Sequence, residues 1–235
     1  MILLRSLLWT LFFYLWCVLF AFGLLPLMLA PRRWMIAGMR LWSMGLNEML
    51  PVICGITVEV RGAQHIPAGA GLVAVKHQCM FDTMGTIAGF SDPCWVMKKE
   101  LMLIPFYGWY SWKGRMIAID RAAQARALRA MLAAARDRMR EQRQLVIAPE
   151  GHRQDPGAAP DYKSGIYALY RELGLPCTPM ATNAGICWPA KGFLRRPGTI
   201  VFEYLEPIPP GLTRAAFMST LQERIETASA ALLAG

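Results

Sequence analysis

Three histidines occur in the chain, at positions 65, 77 and 152, and one of them has a carboxylate at a spacing that suits acid–base chemistry. His77 stands in Lys76-His77-Gln78-Cys79-Met80-Phe81-Asp82, five residues before Asp82. On one regular helix an offset of five separates two side chains by about 140°, so they meet only if His77 lies in a strand-to-helix turn and Asp82 in the first turns of the helix. The C-terminal end of a strand is also where sites form in open parallel sheets. A histidine oriented by a carboxylate is a general base. The chain has no Gly-x-Ser-x-Gly elbow, so the nucleophile would belong to the substrate. This spacing arises by chance in many sequences, and His65, in the turn-like Gly62-Ala63-Gln64-His65-Ile66-Pro67, reads as structural.

Other segments add weight to His77. Lys98-Lys99-Glu100-Leu101, Ile117-Ala118-Ile119-Asp120-Arg121 and Ala148-Pro149-Glu150-Gly151-His152-Arg153 each place charged groups just after an apolar run that reads as a strand. Four strand ends converging on one edge would bring together an acid, a base and several cations, a set suited to a phosphate-bearing substrate.

The elements that must position these groups are legible as alternating strand and helix patterns. Strands are predicted over residues 56–61, 72–75, 94–97, 116–119, 145–148, 178–181 and 200–204, with a long helix over 122–142. In that helix Leu128, Leu132, Ala135 and Met139 recur at three- and four-residue steps and are expected to face the core. Arg129, Arg136 and Arg140 form a polar stripe beside them, either solvated or turned to anionic headgroups. Residues 154–160 read as an exposed loop. The expected fold class is α/β, a mostly parallel sheet flanked by helices, over residues 51–235.

Residues 1–50 are different. Residues 7–25 form an uncharged apolar run, and 34–50 a second stretch carrying Arg40, Asn47 and Glu48, with Pro26 and Pro31 between them. The first is nearly long enough to cross a hydrocarbon core of about 30 Å, and the pair would equally suit two helices dipping into one leaflet. Arg32, Arg33 and Arg40 follow the run and Arg5 precedes it, an asymmetry that is expected to put the bulk of the chain on the cytoplasmic face of a membrane.

Composition agrees with a lipid setting. Of 235 residues 55% are hydrophobic and 17% charged, against about 25% charged in average soluble domains, which excludes a disordered chain. The formal net charge of +9 and the arginine-rich helix would also suit nucleic acid, but no stacking platform or groove-reading motif accompanies them, so no nucleic-acid partner is expected. Six scattered cysteines contain no Cys-x-x-Cys pair and read as small core residues in a reducing compartment. The sequence around Ala30 lacks the small-x-small pattern of a cleaved signal.

Taken together the motifs resemble those of the glycerolipid acyltransferase family, in particular the bacterial 1-acylglycerol-3-phosphate acyltransferases of PlsC type. The first family block, Asn-His-x4-Asp, corresponds to residues 76–82; the second, a hydrophobic strand followed by Asp-Arg, to residues 114–121. The third, usually Phe-Pro-Glu-Gly-Thr-Arg-Ser, corresponds to residues 148–154, and the fourth to Thr178-Pro179-Met180. The resemblance runs in order over about residues 56–207, with Tyr162-Lys163-Ser164-Gly165 as a supporting piece.

The resemblance implies a membrane-bound enzyme that moves an acyl chain from acyl-CoA or acyl carrier protein to the free hydroxyl of lysophosphatidic acid, giving phosphatidic acid. His77 would be the base and Asp82 its partner. Lys98 and the Gly151 amide would stabilise the oxyanion, and Arg121, Glu150 and Arg153 would serve the acceptor's phosphate. No metal and no cofactor beyond the thioester co-substrate is expected. Another lyso-lipid, such as a lyso-ornithine lipid or lysophosphatidylglycerol, is the alternative acceptor, and a non-catalytic lipid-binding protein the alternative class. Against the family pattern, Lys76 replaces the common Asn, Cys79 a frequent Ser, and His152 and Gln154 the Thr and Ser of the third block. A Lys76 ammonium directed at His77 would disfavour the imidazolium and keep the base neutral.

Overall fold

The structure, a computed structural model, describes residues 1–234, and of Arg121 the backbone alone. Seven strands, β1 (Ile56–Arg61), β2 (Gly71–Val75), β3 (Pro93–Lys98), β4 (Ile117–Ile119), β5 (Gln144–Ile147), β6 (Cys177–Thr182) and β7 (Gly198–Tyr204), form one sheet in the order β1-β7-β6-β2-β5-β3-β4. All neighbours are parallel except β6 and β7. Each expected strand is present, its bounds moved by at most two residues.

The helices are α1 (Ile2–Gly23), α2 (Arg32–Cys54), α3 (Phe81–Thr86), α4 (Tyr107–Lys113), α5 (Gln124–Arg140), α6 (Gly165–Leu173), α7 (Ala184–Cys187) and α8 (Arg214–Ala234). The central strands β2, β5 and β6 are buried throughout, as their near-continuous apolar runs require. Successive residues serve opposite faces. Val73, Val75 and Val146 pack on one side against Leu46 and Leu50 of α2 and Phe81 of α3, while Leu72, Ala74, Leu145 and Ile147 pack on the other against Met131 and Ala135 of α5 and Phe217, Leu221 and Ile225 of α8.

Helix α5 corrects one expectation. Leu128 is exposed, and the buried positions are Met131 and Ala135, with Leu132 and Met139 half-buried. The first turns of α5 follow β4, a three-residue edge strand, so little sheet lies beneath them; only the C-terminal half has a surface to cover.

The N-terminal pair is a helical hairpin joined by a short 3-10 turn over Leu25–Met28. Helix α2 continues through Pro51 to Cys54, where Gly55 (φ 68°) ends it in the left-handed conformation glycine tolerates. Its C-terminal turns belong to the core, so the division at residue 50 cuts through a helix that serves both parts. Ser43 Oγ donates to the Met84 carbonyl at 2.6 Å and Asn47 Nδ2 to the Gly85 carbonyl at 3.0 Å, tying α2 to α3 and therefore to Asp82. Helix α1 lies on α2, close enough at Gly45 that an added Cβ would stand 2.2 Å from the Trp16 ring.

Both ends of α1 also touch the α/β body. Near its start Ser6 Oγ accepts from the Arg195 amide at 2.8 Å, and the buried Trp9 meets Trp188 edge-on at 5.8 Å. Near its end the Tyr110 hydroxyl of α4 donates to the Ala21 carbonyl, and Phe22 packs on Phe106 at 5.2 Å. Between these attachments Leu7, Leu8, Leu11, Tyr14, Leu15, Val18 and Leu19 are exposed.

Candidate functional site

Strands β2, β5, β3 and β4 are mutually parallel, so their C-terminal ends share one edge of the sheet. That edge carries His77, Glu150, Lys98 and Asp120, as the four-segment reading requires. His77 follows β2 in the turn, and Asp82 sits in the first turn of α3. The turn is held by Asp82 itself. Its Oδ2 accepts from the backbone amides of Gln78 at 2.5 Å and Cys79 at 2.7 Å and faces His77 Nδ1 at 3.2 Å. Asp82 is fully buried and the His77 side chain 18% exposed, so the carboxylate is hidden behind an imidazole that reaches solvent. With Nδ1–H directed to Asp82, Nε2 is the free ring nitrogen.

Cys79, the substituted position, is part of this turn. Its thiol donates to Asp82 Oδ1 at 3.5 Å, the role a serine hydroxyl would play. Burial first and the Asp82 charge second push the thiol well up, so it remains a protonated donor.

The third block grips the same turn from the other side. Glu150, fully buried, accepts the His77 amide on Oε2 at 3.2 Å, and the Gln154 amide donates to the His77 carbonyl at 2.8 Å. Both backbone groups of His77 are therefore held by residues 150–154. Glu150 does not brace Arg153, whose Nη1 donates to the Ala190 carbonyl at 3.0 Å. Nor is its carboxylate free for a phosphate, since Oε1 is bonded to Lys76 Nζ at 2.6 Å. The Gly151 amide, expected at an oxyanion, closes a turn onto the Ala148 carbonyl at 3.1 Å.

Lys76 corrects a further expectation. Its side chain turns under the sheet edge to a second carboxylate, Glu226 of α8, at 2.8 and 3.0 Å, as well as to Glu150. Its ammonium is thus shared by two carboxylates and does not act as a bare cation beside the imidazole. Tyr162 donates to Glu226 Oε1 at 2.8 Å; burial and then the Glu226 charge raise its phenol, so it stays a donor. Burial raises the Glu150 carboxyl and Lys76 opposes that shift. Sequence reasoning did not find Glu226, which lies 150 residues from Lys76 and in no motif, although the unusual lysine was a signal that some buried anion must answer it.

Lys98 is exposed at the end of β3, two strands from β2, or about 10 Å across the sheet. Asp120 of the second block pairs with Lys99 and accepts the Ala122 amide at 3.1 Å; this pair is exposed and of small energetic value. The side chain of Arg121 lies outside the described residues. A cavity of about 800 Å³ between α8 and residues 157–160 is walled in part by Lys76, Gln78, Glu226 and Ser229; His77 is not among its lining residues.

A mostly parallel α/β sheet with a solvent-reaching His-Asp pair at its C-terminal edge is an arrangement chemically able to take a proton from a substrate's own nucleophile. The family description Acyltransferase matches residues 57–183, more than half of the chain, and the chain belongs to that family. Over 150 residues it is 37% identical to a 1-acyl-sn-glycerol-3-phosphate acyltransferase of Pseudomonas aeruginosa, covering 63% of this chain and 58% of that protein. A Helicobacter pylori protein of the same name is 29% identical over 180 residues, 74% of this chain and 73% of its own length. The chain thus spans about six tenths of the Pseudomonas relative. The crystal structure of PlsC, the 1-acyl-sn-glycerophosphate acyltransferase of Thermotoga maritima, superposes with a TM-score of 0.82 at 22% identity, covering 100% of this chain and 99% of that one, which establishes the shared fold.

Proposed function

We propose that the protein is a membrane-bound 1-acylglycerol-3-phosphate acyltransferase, converting lysophosphatidic acid to phosphatidic acid with an acyl thioester, acyl-CoA or acyl carrier protein, as donor. The observation that carries the reading is the His77–Asp82 pair, with Nδ1 held at 3.2 Å and the opposite nitrogen free. The relatives' names supply the substrate class.

In this mechanism His77 Nε2 takes the proton of the acceptor hydroxyl as its oxygen attacks the thioester carbonyl. Asp82 keeps the imidazole in the tautomer that makes Nε2 basic and stabilises the imidazolium that results. The tetrahedral intermediate collapses with cleavage of the C–S bond, and the departing thiolate recovers the proton from His77. Such general-base assistance contributes about 10²–10⁴-fold. Lys98 is the proposed cation for the oxyanion; the Gly151 amide joins it only if it leaves the Ala148 carbonyl. Arg121 and Arg153 are the proposed phosphate ligands. Glu150, its oxygens already committed, contributes by fixing His77.

The hairpin is proposed to lie in one leaflet of the cytoplasmic face. Helix α1 is about 33 Å long by its 22 residues, yet both ends rest on the catalytic body. A spanning helix would carry one end to the far side. The test is to incubate purified protein with a labelled acyl donor and a panel of lyso-lipids. Lysophosphatidic acid is expected to be the preferred acceptor and His77→Ala to be inactive. Undiminished transfer by His77→Ala would sink the mechanism; preference for a lyso-ornithine lipid or lysophosphatidylglycerol would move the acceptor assignment to that lipid.

A further inference from the structure

We infer that Lys76 is a positioning residue for the catalytic base: clasped by Glu226 of the C-terminal helix, its ammonium holds Glu150 against the His77 amide and so fixes the imidazole relative to Asp82. The inference rests on the assignment of His77 as the base and extends the site to α8, an element that carries none of the sequence blocks.

Lys76 is 2% exposed and Glu150 0%, so neither charge has water to fall back on. A buried ion is tolerated only when paired and hydrogen-bonded, and removing one partner strands the other. The Lys76 ammonium has three acceptor contacts, one from Glu150 and two from Glu226. Glu226 is in turn held by the Tyr162 hydroxyl. Glu150 divides its oxygens, Oε1 to Lys76 and Oε2 to the His77 amide. Without Lys76 the carboxylate must protonate or swing towards another donor, and the His77 amide loses its acceptor.

That loss matters because the imidazole is the most loosely held donor on Asp82 Oδ2. The two backbone contacts to this oxygen are 2.5 and 2.7 Å, whereas His77 Nδ1 stands at 3.2 Å. A shift of a few tenths of an ångström in the His77 backbone breaks the imidazole contact while the turn survives. Catalytic geometry is sensitive on this scale, a misplacement of about 1 Å costing on the order of 100-fold.

The experiment compares wild type, Lys76→Met, Glu226→Ala and Lys76→Met/Glu150→Gln in two assays. The first is steady-state acyl transfer; the second is carbethoxylation by diethyl pyrocarbonate, mapped by mass spectrometry at His77 with His65 and His152 as internal references. Lys76→Met is expected to lower kcat about 10- to 100-fold with KM for both substrates within about twofold, and Glu226→Ala about 3- to 10-fold. His77 labelling should fall about threefold or more in both, because Nε2 loses the carboxylate-held tautomer that makes it nucleophilic, with the other two histidines unchanged. Replacing the stranded carboxylate in the double variant should restore part of kcat, because a neutral carboxamide can still accept the His77 amide on its oxygen. Unchanged kcat and unchanged His77 labelling in both single variants would overturn the inference. So would a parallel change at all three histidines or a rise at His77, which reports general loosening rather than a loss of the Asp82 bond. If wild type transfers no acyl group, the assignment of His77 as base fails, and the labelling still decides whether the Lys76 network holds the imidazole.

Discussion

Asp82 Oδ2 receives two backbone amides and an imidazole, so this one oxygen both shapes the turn and orients the His77 ring. Asp82→Asn presents either an amide nitrogen or a neutral oxygen to those donors. We expect kcat to fall by about 10²–10⁴ in a steady-state assay, with the protein still folded because α2 continues to hold α3 through Ser43 and Asn47. Cys79→Ser keeps a donor to Oδ1 and should retain kcat within about threefold. Cys79→Ala, which leaves Oδ1 without that partner, should lose about fivefold, near the value of one hydrogen bond. The His-Asp pair was legible in the sequence because its partners are five residues apart and one turn places both. The partners of Glu150 and Lys76 were not, since they depend on a carboxylate 150 residues away and on which way a buried lysine turns.

At the scale of elements, the apolar excess of α1 is kept outside the fold. Leu11 and Leu15 are 59% and 60% exposed on the same stripe. Replacing both by Asp should reduce partition onto phosphatidylglycerol-containing vesicles more than tenfold, given about 1.5–3 kcal/mol for burying a leucine; a flotation assay measures it. At the α1–α2 contact, Gly45→Leu cannot be accommodated beside Trp16 and should lower Tm in detergent by several degrees, an overpacking cost of about 1–3 kcal/mol. The strands were readable because β2, β5 and β6 are continuous apolar runs bounded by polar turns. Leu128 was misread because periodicity marks a helix face without saying where the sheet beneath it stops.

For the whole molecule, charge is expected to govern binding to anionic lipid and the response to pH. A net +9 predicts that vesicle binding weakens as salt rises, with a residue that salt does not remove because α1 contributes apolar contact. Acid stability turns on Glu150, whose carboxyl burial raises despite Lys76. The folded state then binds that proton more tightly than the unfolded chain. The resulting stabilisation is full below the ordinary glutamate range, about 4.3, and is lost as pH rises through the folded value. Thermal melts over this range should show wild type losing stability relative to Glu150→Gln as pH increases. Composition pointed to lipid and anions, but the way the hairpin rests on the body at both ends follows from contacts such as Ser6 with Arg195, which no local pattern announces.

Residues 150 and 154 pin the His77 backbone by its amide and its carbonyl, and the exposed His152 and Arg153 stand between the two pins. His77 and the segment proposed to meet the acceptor headgroup are therefore one mechanical unit with an exposed tip. A library randomised at 152 and 153 alone should yield many folded, chemically competent members that differ in headgroup choice, while one at 150 should yield mostly inactive ones and one at 154, which acts through its backbone amide, should exclude only proline. This division of tolerance would let one scaffold be retargeted among lyso-lipids by a few surface changes, without relearning its chemistry.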